Sequence, residues 1–258
     1  MHLNHVRRGT GEPLVLVHGL GSRWEVWSAV LDRLAVERAV IAVDLPGFGE
    51  SSPLPPGTAS TVHTLSDALA AFLAAEGIER PHVAGNSMGG WMALELAKRG
   101  LVASATAISP AGFWTDREAA YVRASLGGAV KAVRALMPAM PALVATGVGR
   151  TALMAQLIGR PWKLTADEAL DAMRGLADSP AFDETLQTLT ADRYQSAPID
   201  APVTIAWGTR DHLLIPRQAP RAQRMTPGSR LVSLPGLGHA PCWDDPELVS
   251  RTILAGSA

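Results

Sequence analysis

Six short apolar runs recur along the chain, each closed by glycine, proline or a polar turn. They are Leu14–Val17, Ala39–Val43, the pair Val83-Ala84 leading into Gly85, Ala103–Ile108, Val203–Trp207 and Leu231–Leu234. Runs this short and free of charge suit strands buried on both faces, as in a parallel sheet. Between them lie segments with helical spacing. Thr64–Glu76 sets Leu65, Leu69, Phe72 and Leu73 on one face and meets a stop at Gly77. Met88–Arg99 buries Leu94 and Leu96, carries Lys98 and Arg99 in its last turn, and ends at Gly100. Strands alternating with helices predict an α/β fold with a mostly parallel central sheet flanked by helices.

The rhythm breaks between about Thr115 and Pro198. That stretch is rich in Ala, Leu and Met and holds no strand pattern. It reads as a helical insertion, residues 115–197, within a core made of residues 1–114 and 198–258.

Composition narrows the class. With 258 residues and 47% hydrophobic positions, the chain can bury a substantial core without staples. A net charge of −1 with no basic run leaves no footprint for nucleic acid. The single cysteine, Cys242, excludes an intramolecular disulfide and suits a reducing compartment. Met1–Arg8 lacks the apolar stretch of a secretory leader, and no apolar run is long enough to span a bilayer. The expectation is a cytoplasmic protein acting on a small molecule, its oligomeric state left open.

The candidate chemistry begins at Gly85-Asn86-Ser87-Met88-Gly89, which fits G-x-S-x-G between a strand and a helix. The glycines answer a steric demand, because a sharp strand-to-helix turn leaves no room for side chains at its flanks. Such a turn holds the Ser87 hydroxyl at a helix N-terminus, with the Met88 amide facing a developing oxyanion. A serine needs a base, and imidazole has a suitable pKa. For this motif the chain order is serine, then acid, then histidine, which leaves His212 or His239 as the base. Asp211, just past the run Val203–Trp207, lies where sites of open α/β sheets gather. Ser87, Asp211 and His239 form the best-ordered trio. Asp44 precedes the serine, and Asp183 and Asp192 fall in the insertion. His63 and His82 read as surface or packing residues, and Cys242 as a bystander.

Four segments in order then resemble the α/β-hydrolase family, in its serine-nucleophile branch. They are His18-Gly19-Leu20-Gly21, Asp44–Ser51, the turn at Ser87, and Trp207–Asp211 paired with Gly238-His239. The resemblance implies that the Leu20 amide joins Met88 as a second oxyanion donor and that His18 is structural. It makes the Asp44–Ser51 loop architectural and the insertion a helical cap that sets substrate choice. Family members often begin with two antiparallel strands; here only about Leu3–Arg8 precedes Gly9, so the first strand is expected to be absent.

Serine rather than aspartate at the turn excludes the dehalogenase and epoxide-hydrolase chemistries of the family. The expected reaction is cleavage of a small carboxylic ester or related acyl substrate through an acyl-enzyme. Alternatives are a C–C bond hydrolase of meta-cleavage type, which Gly85–Gly90 resembles, and a non-catalytic ligand receptor on the same scaffold. Trp24, Trp27, Phe48, Trp91, Phe113 and Trp114, with Met137, Met140 and Met154, are candidates for an apolar substrate pocket. No metal-ligand cluster or dinucleotide fingerprint is present, and no cofactor is implied.

Overall fold

In the computed structural model, which describes residues 2–258, the apolar runs are strands of one seven-stranded sheet. They are β1 His5–Arg8, β2 Pro13–Val17, β3 Ala39–Val43, β4 His82–Asn86, β5 Ser104–Ile108, β6 Val203–Gly208 and β7 Arg230–Leu234. The spatial order is β1-β3-β2-β4-β5-β6-β7. All pairs are parallel except the edge, where β1 runs antiparallel to β3 with His5 opposite Val43. One antiparallel strand therefore precedes β2.

The helices are α1 Ser28–Leu34, α2 Val62–Ala75, α3 Met88–Lys98, α4 Asp116–Leu136, α5 Met140–Val144, α6 Gly147–Met154, α7 Ala166–Ala177, α8 Phe182–Ala191, α9 Ala219–Met225 and α10 Pro246–Gly256. Successive strand residues feed two separate cores. Val15 and Val17 of β2 pack with Ile41 and Val43 beneath Leu65 and Leu69 of α2 and Leu94 of α3. Leu14 and Leu16 pack with Val40 and Ala42 on the other face, under Val30 and Leu34 of α1 and Val249 and Ile253 of α10. This period-2 division between two covered faces is why the strands read as unbroken apolar runs. α2 starts two residues before its predicted start, because the Thr61 side chain accepts from the Thr64 amide and Thr64 answers it in a capping box. The stop at Gly77 is a left-handed residue, φ +66°, that lets Ile78 donate back to Leu73.

Helices α4–α8 all lie between β5 and β6, and no strand occurs from 115 to 197. α4 is set by a capping box between Thr115 and Glu118 and buries Ala119, Val122, Leu126, Val130 and Val133, a stripe of three- and four-residue steps. Side-chain hydrogen bonds and ion pairs fasten this layer to the sheet layer. Glu118 accepts from Arg217 at 3.0 Å and Arg221 at 2.8 Å, and Tyr121 donates to the His212 carbonyl. Ser60 Oγ meets Thr185 Oγ1 at 2.7 Å. Arg23 Nη2, on the loop after β2, lies 2.5 Å from Asp171 Oδ1 of α7.

Candidate active site

Each candidate residue stands where a parallel strand ends. β4 closes at Asn86, and Ser87 follows with φ +57° and ψ −116°, a conformation few side-chain-bearing residues adopt. The glycines beside it explain how the chain tolerates this. A Cβ on Gly85 would fall on the Gly89 carbonyl, and one on Gly89 would fall on the carbonyls of Val17 and His18. A Cβ on Gly19 would lie 3.1 Å from that of Ser87. The backbone leaving β2 thus presses directly against the serine, which brings Leu20 beside it. Among the described residues neither the Leu20 nor the Met88 amide donates a hydrogen bond. Met88 is also the first residue of α3, so its N–H has no intrahelical acceptor.

β6 delivers the carboxylate. Asp211 is 1% exposed; its Oδ1 accepts from the Leu213 amide at 3.0 Å and the Leu214 amide at 2.7 Å, and its Oδ2 lies 2.8 Å from His239 Nδ1. Two backbone donors hold the carboxylate on one oxygen and aim the other at the ring. The Asp211 loop is itself fixed by Trp207 Nε1 donating to Leu214 and by the Arg210 amide donating to Leu237. Ser87 and His239 line the same cavity, of about 200 Å³. No hydrogen bond joins Ser87 to His239. Contacts of this kind commonly close only when substrate fills the site.

Two positioning residues carry no motif signal. Asn86 occupies a free position of G-x-S-x-G, yet its Nδ2 donates to the His239 carbonyl at 2.8 Å and to Ile108 at 3.1 Å. Asp244 is buried and accepts three amides: Gly238 at 2.7 Å, Gly159 at 2.9 Å and Arg160 at 2.7 Å. It ties the His239 loop to the stretch after α6. The Ala240 amide adds a bond to Leu157 across the same seam.

His18 is fully buried, edge-on to Phe48. Burial pushes its pKa down, against the hydrogen bond to Gly19 and the field of Asp44, which raise it. Its Nε2 accepts from the Leu45 amide at 2.9 Å while Nδ1 lies 2.7 Å from the Gly19 carbonyl, a pattern that only a neutral ring satisfies. Asp44 takes amides from Trp24 and Glu50 and the side chain of Asn4, so it braces the loops. Burial drives the Cys242 thiol well above its ordinary pKa, which removes thiolate chemistry.

The aromatic expectations divide. Trp114 lines the cavity with its Nε1 donating to Asp192, and Met154 lines it too. Trp27, Phe48, Trp91, Phe113 and Met140 do not; they are fully buried in the packing. Trp91 serves the helix–sheet seam, donating to Glu95 under Gly112, and Met140 packs inside the α4–α8 layer. Trp24 and Met137 are half-buried against core side chains away from the cavity. The wall is built instead from Val122, Leu126, Leu157, Ile158, Leu189 and Leu213, with a polar sector at Arg23, Glu25, Glu168 and Asp171. Burial raises the Glu25 carboxyl pKa within that sector. Among the described residues no group of three or more acidic, histidine or cysteine side chains is placed to hold a metal ion, and no helix is long and apolar enough to cross a membrane.

Comparisons with known proteins agree with this architecture. A family model described as the alpha/beta hydrolase family matches residues 14–252. An uncharacterized protein of Mycobacterium tuberculosis is 32% identical over 256 residues, spanning 92% of this chain and 73% of that one. Lipase 3 of Moraxella sp. is 26% identical over 242 residues, spanning 90% of this chain and 73% of the lipase. The solved structure of a thermophilic esterase from Thermogutta terrifontis superposes with a TM-score of 0.78 at 23% identity, covering 98% of this chain and 92% of the esterase, a likeness of fold.

Proposed function

The chain belongs to the alpha/beta hydrolase family, and from that premise we propose that it cleaves small carboxylic esters with Ser87 as nucleophile, His239 as base and Asp211 as the buried acid. The observation carrying the proposal is the 2.8 Å contact between Asp211 Oδ2 and His239 Nδ1, in a ring that opens on the same cavity as Ser87.

In the proposed reaction Asp211 holds the proton on Nδ1, leaving Nε2 free to take the Ser87 hydroxyl proton. Ser87 Oγ bonds to the substrate carbonyl carbon, and the carbonyl π electrons move onto oxygen, which the Leu20 and Met88 amides receive. As the oxyanion collapses, the ester C–O bond breaks and His239 passes its proton to the departing alkoxide. Water then repeats the sequence. His239 takes one of its protons, the hydroxide adds to the acyl carbon, and Ser87 leaves with the proton returned. The free acid and the original enzyme result.

The apolar wall from α4, α6 and α8 suits an acyl chain, and the naming of a relative as a lipase and a structural neighbour as an esterase supports ester chemistry. In this reading helices α4–α8 act as a cap that sizes the acyl pocket. The test is turnover of a short p-nitrophenyl ester by Ser87→Ala, alongside a lactone and a dienoate that measure ring opening and C–C cleavage. Ester turnover should fall by on the order of 10⁴ or more. Near-native ester turnover by the variant would refute the assignment, and an inert wild-type chain that still binds ligand would mark a receptor.

A further inference from the structure

One face of the α4–α8 layer breaks the usual rule of surface composition. Residues 135–149, from the end of α4 through α5 into α6, carry no charged side chain. α5 buries only Met140 and Val144, leaving Pro138, Ala139, Pro141, Ala142 and Ala145 in the open beside Leu136. Trp162 extends the face: it sits against Gly147, next to Val148, and the two side chains are 51% and 81% exposed. Single apolar residues on a surface need no explanation, but a contiguous patch marks an interface.

The charge around the patch has one sign. From Ala119 to Ala166 there is no Asp or Glu, against six Lys and Arg. Arg134 is neutralised by Asp183 and Arg123 is taken up by Thr190. Among the described residues Lys131, Arg150, Arg160 and Lys163 pair with no carboxylate, and Lys131 and Lys163 are exposed. Past Ala166 the first carboxylate, Asp167, is exposed, while Glu168 closes the capping box with Thr165 and Asp171 holds Arg23.

We propose that this face docks the protein on an anionic lipid surface. Trp162 and Val148 enter the headgroup region, and the unpaired cations meet the lipid phosphates. An indole ring suits a boundary that is apolar on one side and wet on the other, and basic side chains flanking an apolar face favour anionic leaflets. A second copy of the chain fits less well, because a two-fold contact through this face would set unpaired cations against their own kind. The same segment that faces outward at Val148 lines the cavity at Met154, Leu157 and Ile158. Docking therefore lays one wall of the cavity against the lipid phase.

Sedimentation with vesicles tests the surface apart from catalysis, using the whole 258-residue chain with Ser87→Ala so that no lipid is consumed. Vesicles of equal phosphatidylglycerol and phosphatidylcholine should bind the protein at least about tenfold more tightly than pure phosphatidylcholine, the difference shrinking with added salt. Val148→Glu should weaken binding about tenfold, and Lys163→Glu about fivefold or more. In the Ser87 background Val148→Glu should keep its turnover of a soluble ester, which shows that it folds. The proposal is overturned if the anionic vesicles bind no protein or if Val148→Glu binds as well as its parent. It is equally overturned if the chain is a dimer that Val148→Glu dissociates.

Discussion

The sheet layer and the helical layer above it are held by different physics. Around Ser87 the backbone itself sets positions: glycines at 19, 85 and 89 allow main chain to touch main chain, and carboxylates such as Asp211 and Asp44 are filled by amide donors. The α4–α8 layer is assembled from capping boxes and apolar stripes and joined to the sheet by side-chain bonds and a shared apolar core. In the proposed reading, the contrast separates a centre positioned by backbone from a side-chain-packed layer whose cavity wall sizes the substrate. It also makes each link between them a measurable hinge.

The largest effect should come from that centre. His239→Ala should lower kcat by on the order of 10⁴ while KM stays within a few-fold, since the ring is proposed to act in the transition state rather than in binding. Steady-state kinetics on a soluble ester check it.

Next is the strongest link between the layers. Burial alone would raise the Glu118 carboxyl, but bonds from Arg221, the Thr115 amide and Arg217 hold its pKa down at about 2. A depressed carboxyl pKa gives stability that is complete above the ordinary Glu range near 4.5 and fades as pH falls toward about 2. Glu118→Gln should lose about 2–3 kcal/mol at neutral pH and flatten the stability profile across that acid window, as read by denaturant unfolding. An unchanged slope between pH 5 and about 3 would assign acid sensitivity to other carboxylates.

A smaller change is expected at Asp244, which binds both layers to the histidine loop. Asp244→Asn should reduce kcat by about tenfold through a misplaced ring, with a shift in the pH–rate profile that a purely stabilising residue would not produce. Smallest is Arg23→Ala. Its pair with Asp171 is partly exposed, so stability should change by less than about 1 kcal/mol. At the cavity wall, however, the loss should alter the relative kcat/KM of long and short acyl esters.

The inner strands were legible because burial on both faces leaves few charged residues in them, and the serine turn because its glycines answer a local steric demand. Asp211 and His239 stood out by chain order. Helices α1 and α9 left little pattern, being seven residues each. The pocket residues were misread for a different reason. Trp27 and Trp91 are large and apolar near motif loops, and Met140 lies in the helical insertion, but size and place in sequence do not say which way a side chain turns. Trp91, for instance, lies on the face of α3 that packs inward. Leu157, Ile158 and Asp244 act through contacts that exist only once the α4–α8 layer folds back on the sheet, and no local pattern marks such contacts.

The most direct test is covalent. A fluorophosphonate reacts fastest with a hydroxyl that a neighbouring base activates. Peptide mapping of the treated protein should find one adduct, on Ser87, formed far more slowly in His239→Ala. An adduct on another residue, or equal labelling with and without the imidazole, would contradict the relay.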